Sequence, residues 1–200
     1  MTEYERQLLA ASQRGEIESF NLLVKQYEGR VYGLAYRMLG DPDAAADVAQ
    51  ETFFSAYRHL RSFRGGSFSA WLLRIATNAC YDQLRARKRR QTISIDAAGD
   101  DPDDPPLQLQ DQGEGPDAAA LRAELAGEIQ RGLLTLPEEQ RVILILSDIQ
   151  GLSYEEIAEV TGTQLGTVKS RLSRARAKLR DFLKAGELLP PRYRQYDGSS

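Results

Sequence analysis

Apolar positions in this chain recur at three- and four-residue spacing in successive blocks, which predicts an all-α protein. Phe20, Leu23, Val24, Tyr27, Val31, Leu34, Ala35 and Met38 mark one long amphipathic helix that stops near Gly40. Gly29 and Gly33 weaken it by about 1 kcal/mol each relative to alanine. Asp41 and Pro42 have the form of an N-cap and first turn for a second helix, with a core stripe through Val48, Ala49, Thr52, Phe53, Ala56, Tyr57 and Leu60. The segment Arg61 to Ser67 reads as a loop. A third helix follows, burying Phe68, Leu72, Ile75, Ala76 and Ala79 and turning Arg74, Asn78, Tyr81 and Arg85 the other way.

Helical periodicity stops at Arg90 and resumes near Asp117, through Leu121, Leu125, Ile129 and Leu133. It restarts at Pro137 with the apolar run VILIL. From Gly151 to Leu179 the chain reads as two short helices with a tight connection. Ser153 and Glu156 have capping-box spacing, Ile157, Ala158 and Val160 give the first helix an apolar side, and Gly162 supplies the break. Val168, Leu172, Ala175 and Leu179 form the buried stripe of the second helix, while Lys169, Ser170, Ser173, Arg174, Arg176 and Arg180 point elsewhere. This is the pattern of a helix-turn-helix.

Two small helical domains are therefore expected, at 1–90 and 118–185, joined by an acidic flexible linker at 91–117 and followed by a flexible tail at 186–200. Between Gln91 and Pro116 lie four prolines and three glycines among many acids, too little apolar surface to order itself. A composition of 42% hydrophobic and 28% charged residues is ordinary for a soluble globular protein. The net charge of -3 changes meaning once it is resolved along the chain. Gln91 to Leu121 holds eight acids and no base, so removing those charges from the total leaves +5 for the rest. One Cys and one His exclude a disulfide framework and leave almost no scope for a metal site. No cofactor or metal is expected. The N-terminus lacks a basic leader with an apolar run, and no segment reaches the length needed to span a bilayer, so a cytoplasmic protein without membrane insertion is expected.

Charge then points to chemistry. From Gly162 to Arg180 there is no Asp or Glu, whereas a solvated helix face usually mixes signs. Such a helix suits DNA phosphates and the major groove. Between Arg58 and Arg90 nine bases face one acid, Asp82, and are interleaved with Phe63, Phe68, Trp71 and Tyr81. Bases with aromatics suit single-stranded DNA, whose unpaired bases stack on rings while cations follow the phosphates. Phe68 and Trp71 fit the core better; Phe63, in a glycine-rich loop, is expected to be exposed. On the second helix Asp47, Gln50, Glu51 and Phe54 share one side, in a segment from Asp41 to Tyr57 with four acids and no base. That side reads either as solvated surface or, given the aromatic among carboxylates, as a docking patch for a basic protein partner.

Taken together, DAAADVAQETFFSAYRHLRSFRG and FSAWLLRIATNACYDQLR resemble region 2, and LPEEQRVILILSDIQGLSYEEIAEVTGTQLGTVKSRLSRARAKL resembles region 4, of the bacterial sigma-70 family of RNA polymerase sigma factors, in its extracytoplasmic-function group. The resemblance covers about residues 15 to 184. It implies that Asp47, Gln50, Glu51 and Phe54 dock on the β′ clamp of core RNA polymerase, with the β flap as a further contact. Phe63, Arg64, Arg74 and Asn78 would handle the melted non-template strand of the -10 element. Lys169, Ser170, Ser173 and Arg174 would enter the major groove of the -35 element, with Arg171 and Arg176 nearer phosphates. The linker would thread through polymerase channels built for nucleic acid, and an anti-sigma factor becomes an expected partner. The rival reading is a stand-alone helix-turn-helix regulator, which leaves the surface around Phe63 idle. An enzyme is not expected, since there is no phosphate-binding glycine loop and no His/Cys ligand set.

Overall fold

The computed structural model describes residues 1–93 and 116–185, and helices account for almost all of them. The first, α1 (Glu3–Gln13), lies ahead of any element expected from the periodicity. Its start is fixed by a capping box in which the Thr2 hydroxyl accepts the Glu5 N–H and the Glu5 carboxylate accepts the Thr2 N–H, each at 3.2 Å. The long helix α2 (Ile17–Leu39) ends at Gly40, whose φ of 73° is the left-handed conformation that closes a helix without a Cβ penalty. Asp41 then caps α3 (Pro42–His59), accepting the Asp43 and Ala44 N–H groups at 3.0 and 3.1 Å. A 3₁₀ turn over Leu60–Ser62 leads through the loop into α4 (Phe68–Ile93).

The second unit comprises α5 (Pro116–Leu134), α6 (Glu138–Leu144), α7 (Tyr154–Thr161) and α8 (Leu165–Ala185). Its helix-turn-helix follows the sequence expectation, with Ser153 as a capping box and Gly162 at φ 65° as the break. The VILIL helix departs from it. Regular helix stops at Leu144, and Ile145–Ile149 form a π-helical turn closed by a 2.9 Å bond from the Gln150 N–H to the Ile145 carbonyl. The expected linker is also shorter at both ends, because α4 continues to Ile93 and α5 begins at Pro116. The rest of that linker, 94–115, and the tail from 186 lie outside the described residues.

In the first unit α2 is the hub, packing against α1, α3 and α4 through Leu23, Tyr27, Val31, Leu34, Ala35 and Met38. Each leucine fully buried here contributes about 1.5 to 3 kcal/mol. In the second unit α8 packs on α5, α6 and α7 through Val168, Leu172 and Ala175. The α5–α8 approach is close at Gly132, where an added Cβ would lie 2.6 Å from Leu179 Cδ1 and 2.8 Å from Phe182 Cδ1 and would require those side chains to shift. Of the α5 stripe, Leu133 is buried and Ile129 half-buried, but Leu125 stands 38% exposed.

The two units are packed together, which a pair of domains on a tether did not predict. Buried apolar residues form one cluster running through both. Polar ties reinforce it. The Gln130 side chain donates to the Tyr36 carbonyl at 3.1 Å, and Arg30 and Gln150 bond reciprocally through side chain and backbone at 2.7 to 3.0 Å. The buried Arg141 guanidinium donates to the Met38 carbonyl at the end of α2 and to the Leu134 and Leu136 carbonyls of its own unit. No helix among the described residues is long and apolar enough to cross a membrane.

Candidate nucleic-acid interface

On α8 the alternation of apolar and polar residues puts Val168, Leu172 and Ala175 inside and leaves Lys169, Ser170, Ser173 and Arg174 exposed on the outer face. Lys169, Ser173 and Arg174 thus project with no partner among the described residues, and Ser170 beside them donates to the Thr167 carbonyl at 3.1 Å. Arg171 and Arg176 differ. The Arg171 side chain is only 26% exposed and pairs with Glu139 of α6 at 2.5 Å. Arg176 grips Asp148 with both ends of its guanidinium, at 3.0 and 2.6 Å. Up to Arg180 the helix has no acid, so its sequence suggested unpaired cations; the acids that meet Arg171 and Arg176 arrive from α6 and from the π turn. The bond from Arg176 holds the Asp148 carboxyl below the usual carboxylate range, outweighing partial burial. A depressed carboxylate pKa stabilises the fold above its ordinary value near pH 4, and that contribution fades as acid is added below it.

The loop after the 3₁₀ turn carries Phe63 and Arg64. Gly65 and Gly66 both have positive φ, 104° and 92°, so the chain reverses there in a conformation that side chains resist. Arg64 is exposed. Phe63 is half-buried rather than free in solvent, with its ring 5.6 Å from Phe68 and 5.4 Å from Trp71. Phe68 is fully inside and Trp71 half-buried, as core residues should be. The outcome is one aromatic cluster whose outermost ring is Phe63. Arg74 and Asn78 are exposed on α4, but Asn78 also lines the groove between α3 and α4, beside Asp47 and Glu51. Tyr81 is not on that open side: it lies half-buried against α6, and burial with Glu139 and Glu138 nearby pushes its phenol up to about 12.

The α3 face is open. Asp47, Gln50 and Glu51 are exposed, and Phe54 keeps 55% of its surface in water while its neighbours Thr52 and Ala56 are buried. An exposed ring beside carboxylates has the composition of an anchor for a basic partner.

Several participants were not visible in the sequence pattern: Glu139, Asp148, Gln150 and Arg141 meet their partners only through the fold. Glu156 is another. Burial opposes its ionisation, but the Ser153 N–H, the Ser67 hydroxyl and Arg30 outweigh it and hold its carboxyl low, so the start of α7 lies against the start of α4. Gln13 joins them, since α1 went unread although Thr2 and Glu5 already had capping-box spacing.

Two family descriptions match the chain: Sigma-70 region 2 over residues 23–90 and Sigma-70, region 4 over residues 126–179. The chain is 39% identical over 174 residues to the ECF RNA polymerase sigma factor SigE of Mycolicibacterium smegmatis, covering 87% of this chain and 65% of that protein. To the RNA polymerase sigma-H factor of Pseudomonas aeruginosa it is 42% identical over 177 residues, covering 87% of this chain and 91% of the relative. Among solved structures, the sigma factor RpoE of Bartonella quintana, in complex with the anti-sigma factor NepR, matches with a TM-score of 0.69 at 28% identity, covering 84% of this chain and 98% of that one.

Proposed function

Because the chain belongs to the extracytoplasmic-function group of the sigma-70 family of RNA polymerase sigma factors, we propose that three residue sets, two of which meet in the groove between α3 and α4, divide promoter initiation among them. The exposed face Asp47, Gln50, Glu51 and Phe54 docks on a basic surface of core polymerase, the β′ clamp, with the β flap as a second contact. Phe63, Arg64, Arg74 and Asn78 take the melted -10 strand, the outer ring of the aromatic cluster offering a stacking surface. Lys169, Ser170, Ser173 and Arg174 read -35 base edges, and the unit holding them corresponds to region 4 as the unit before it corresponds to region 2. The polymerase carries the chemistry, so the chain is no enzyme, and its place of action is the cytoplasm. A partner of the anti-sigma class, which holds the Bartonella neighbour, is assigned to this chain as well.

One observation carries the -35 reading most strongly: Lys169, Ser173 and Arg174, with no partner among the described residues, share the outer face of α8 with Ser170, while Val168, Leu172 and Ala175 are packed inside. Arg174→Ala is expected to cost about 1 to 3 kcal/mol of discrimination at one -35 base pair. Initiation by the wild type and variant polymerase complexes is compared on matched and mismatched -35 sequences. Equal preference in both removes Arg174 from the reading set.

Arg176 has to exchange Asp148 for a phosphate if it is to serve the backbone. Arg176→Ala is therefore expected to flatten the log–log salt dependence of promoter binding by about one unit, the loss of one phosphate contact. A titration from low to moderate salt measures it, and an unchanged slope separates Arg176 from the phosphates.

The packed arrangement also favours a polymerase subunit over a stand-alone regulator. Elements about 25 base pairs apart lie about 85 Å from each other at 3.4 Å per base pair. A compact chain of this size has a radius of gyration of only about 16 Å. Both elements are reached only after the two units separate, and polymerase docking supplies the free energy for that. Purified chain alone accordingly gives no specific mobility shift on promoter duplex; a specific shift without polymerase favours the regulator.

A further inference from the structure

We infer that Gln13, at the end of α1, is a positioning residue for recognition of the -10 strand; this rests on the reading of the Phe63–Arg64 loop given above. Its side-chain amide donates to two carbonyls, Leu60 and Phe63, each at 3.0 Å. Those two carbonyls bracket the 3₁₀ turn from which the loop departs. The Gln13 nitrogen has two protons, and each carbonyl takes one, so the donor is fully used.

Gln13 is itself firmly placed. Leu8, Leu9, Ala11 and Ser12 bury the inner face of α1, which packs on α2 and against the 3₁₀ turn. The Ser12 hydroxyl donates to the Leu8 carbonyl at 2.7 Å, and the Arg14 N–H closes the helix end. The rigid end of α1 therefore holds the entrance of the loop. At the exit, the Ser67 hydroxyl accepts the Ala70 N–H at 3.2 Å. Between these anchors Gly65 and Gly66 face open space, since a Cβ at either would meet nothing within 4 Å. Phe63 sits directly at the Gln13 anchor, with its carbonyl bonded and its ring set against Phe68 and Trp71. A strand that stacks an unpaired base on that ring needs the loop held in advance, because ordering it on binding subtracts from the discrimination between bases. The helix doing this lies outside both matched family stretches, which begin at residue 23.

Gln13→Glu keeps the length and shape of the side chain but removes both donor protons and sets a carboxylate against two carbonyls. Gln13→Ala removes the contact without adding charge. Each variant is assembled with core polymerase, and open-complex formation is measured on promoters matched or mismatched at -10 and, separately, at -35. In both variants the -10 preference is expected to fall about tenfold, while the -35 preference, the affinity for core polymerase and the melting temperature stay close to wild type. Retention of the full -10 preference by both variants overturns the inference. So does a parallel loss of -10 and -35 preference or of core affinity, which marks α1 as a general support. If the wild type itself shows no -10 preference, the reading of the loop fails first and takes the role of Gln13 with it.

Discussion

Glu51→Lys lowers the affinity for core polymerase by about 100-fold while the chain stays folded. Glu51 is exposed on α3 and has no partner among the described residues, so its replacement leaves the buried stripe Val48, Thr52 and Ala56 untouched. Against a basic partner, however, lysine turns attraction into like-charge contact, which costs several kcal/mol at a close interface. Phe54 adjoins it as the apolar anchor, and Phe54→Ala is expected to act in the same direction by about 2 kcal/mol. Binding of labelled variants to core polymerase, alongside their far-ultraviolet circular dichroism, separates docking from unfolding. Wild-type affinity in the folded lysine variant removes the α3 face from the interface.

The largest effect on stability is expected from Arg141→Ala, about 3 kcal/mol. Arg141 is 7% exposed, and its guanidinium satisfies carbonyls at Met38, Leu134 and Leu136. Its removal strands those three acceptors inside the protein, each at a cost of about 1 to 3 kcal/mol before relaxation and water entry reduce the sum. Gln140 and Val142 beside it do not share this role. Because one carbonyl belongs to the end of α2 and two to the second unit, the same change loosens the packing of the units on each other. Denaturant unfolding reads both effects: the midpoint falls, and the transition broadens or divides as the units uncouple. A single transition at the wild-type midpoint contradicts this account of Arg141.

What could be read along the chain was local. Asp41 before Pro42, Ser153 three residues before Glu156, and glycines at 40 and 162 each act within one helical turn, and all four appear in the structure where the pattern put them. The outer face of α8 was legible for the same reason, since Val168, Leu172 and Ala175 fix which side points inward. The acidic face around Phe54 was legible too, because burial of Val48 and Ala56 leaves it no inward direction.

The rest depended on distance in sequence. Nothing near Arg171 or Arg176 announces that Glu139 and Asp148 will fold back on them, and Asp148 is aimed there by a π-helical turn that a 3.6-residue period does not encode. Phe63 looked exposed because its glycine-rich surroundings are polar; Phe68 and Trp71, five and eight residues away, cover one of its faces. The joining of the units was hidden for a similar reason. Arg30 with Gln150 and Gln130 with the Tyr36 carbonyl pair polar residues about a hundred positions apart, where composition suggests only solvated surface.

The central claim is that this polypeptide confers promoter choice on a polymerase that lacks it. Multiple-round run-off transcription with reconstituted core enzyme, over a library of duplexes varied at -10 and -35, tests it directly. Transcripts concentrated on a narrow set of paired -10 and -35 sequences only when the chain is present are the predicted result. The same transcript distribution with and without the chain contradicts it.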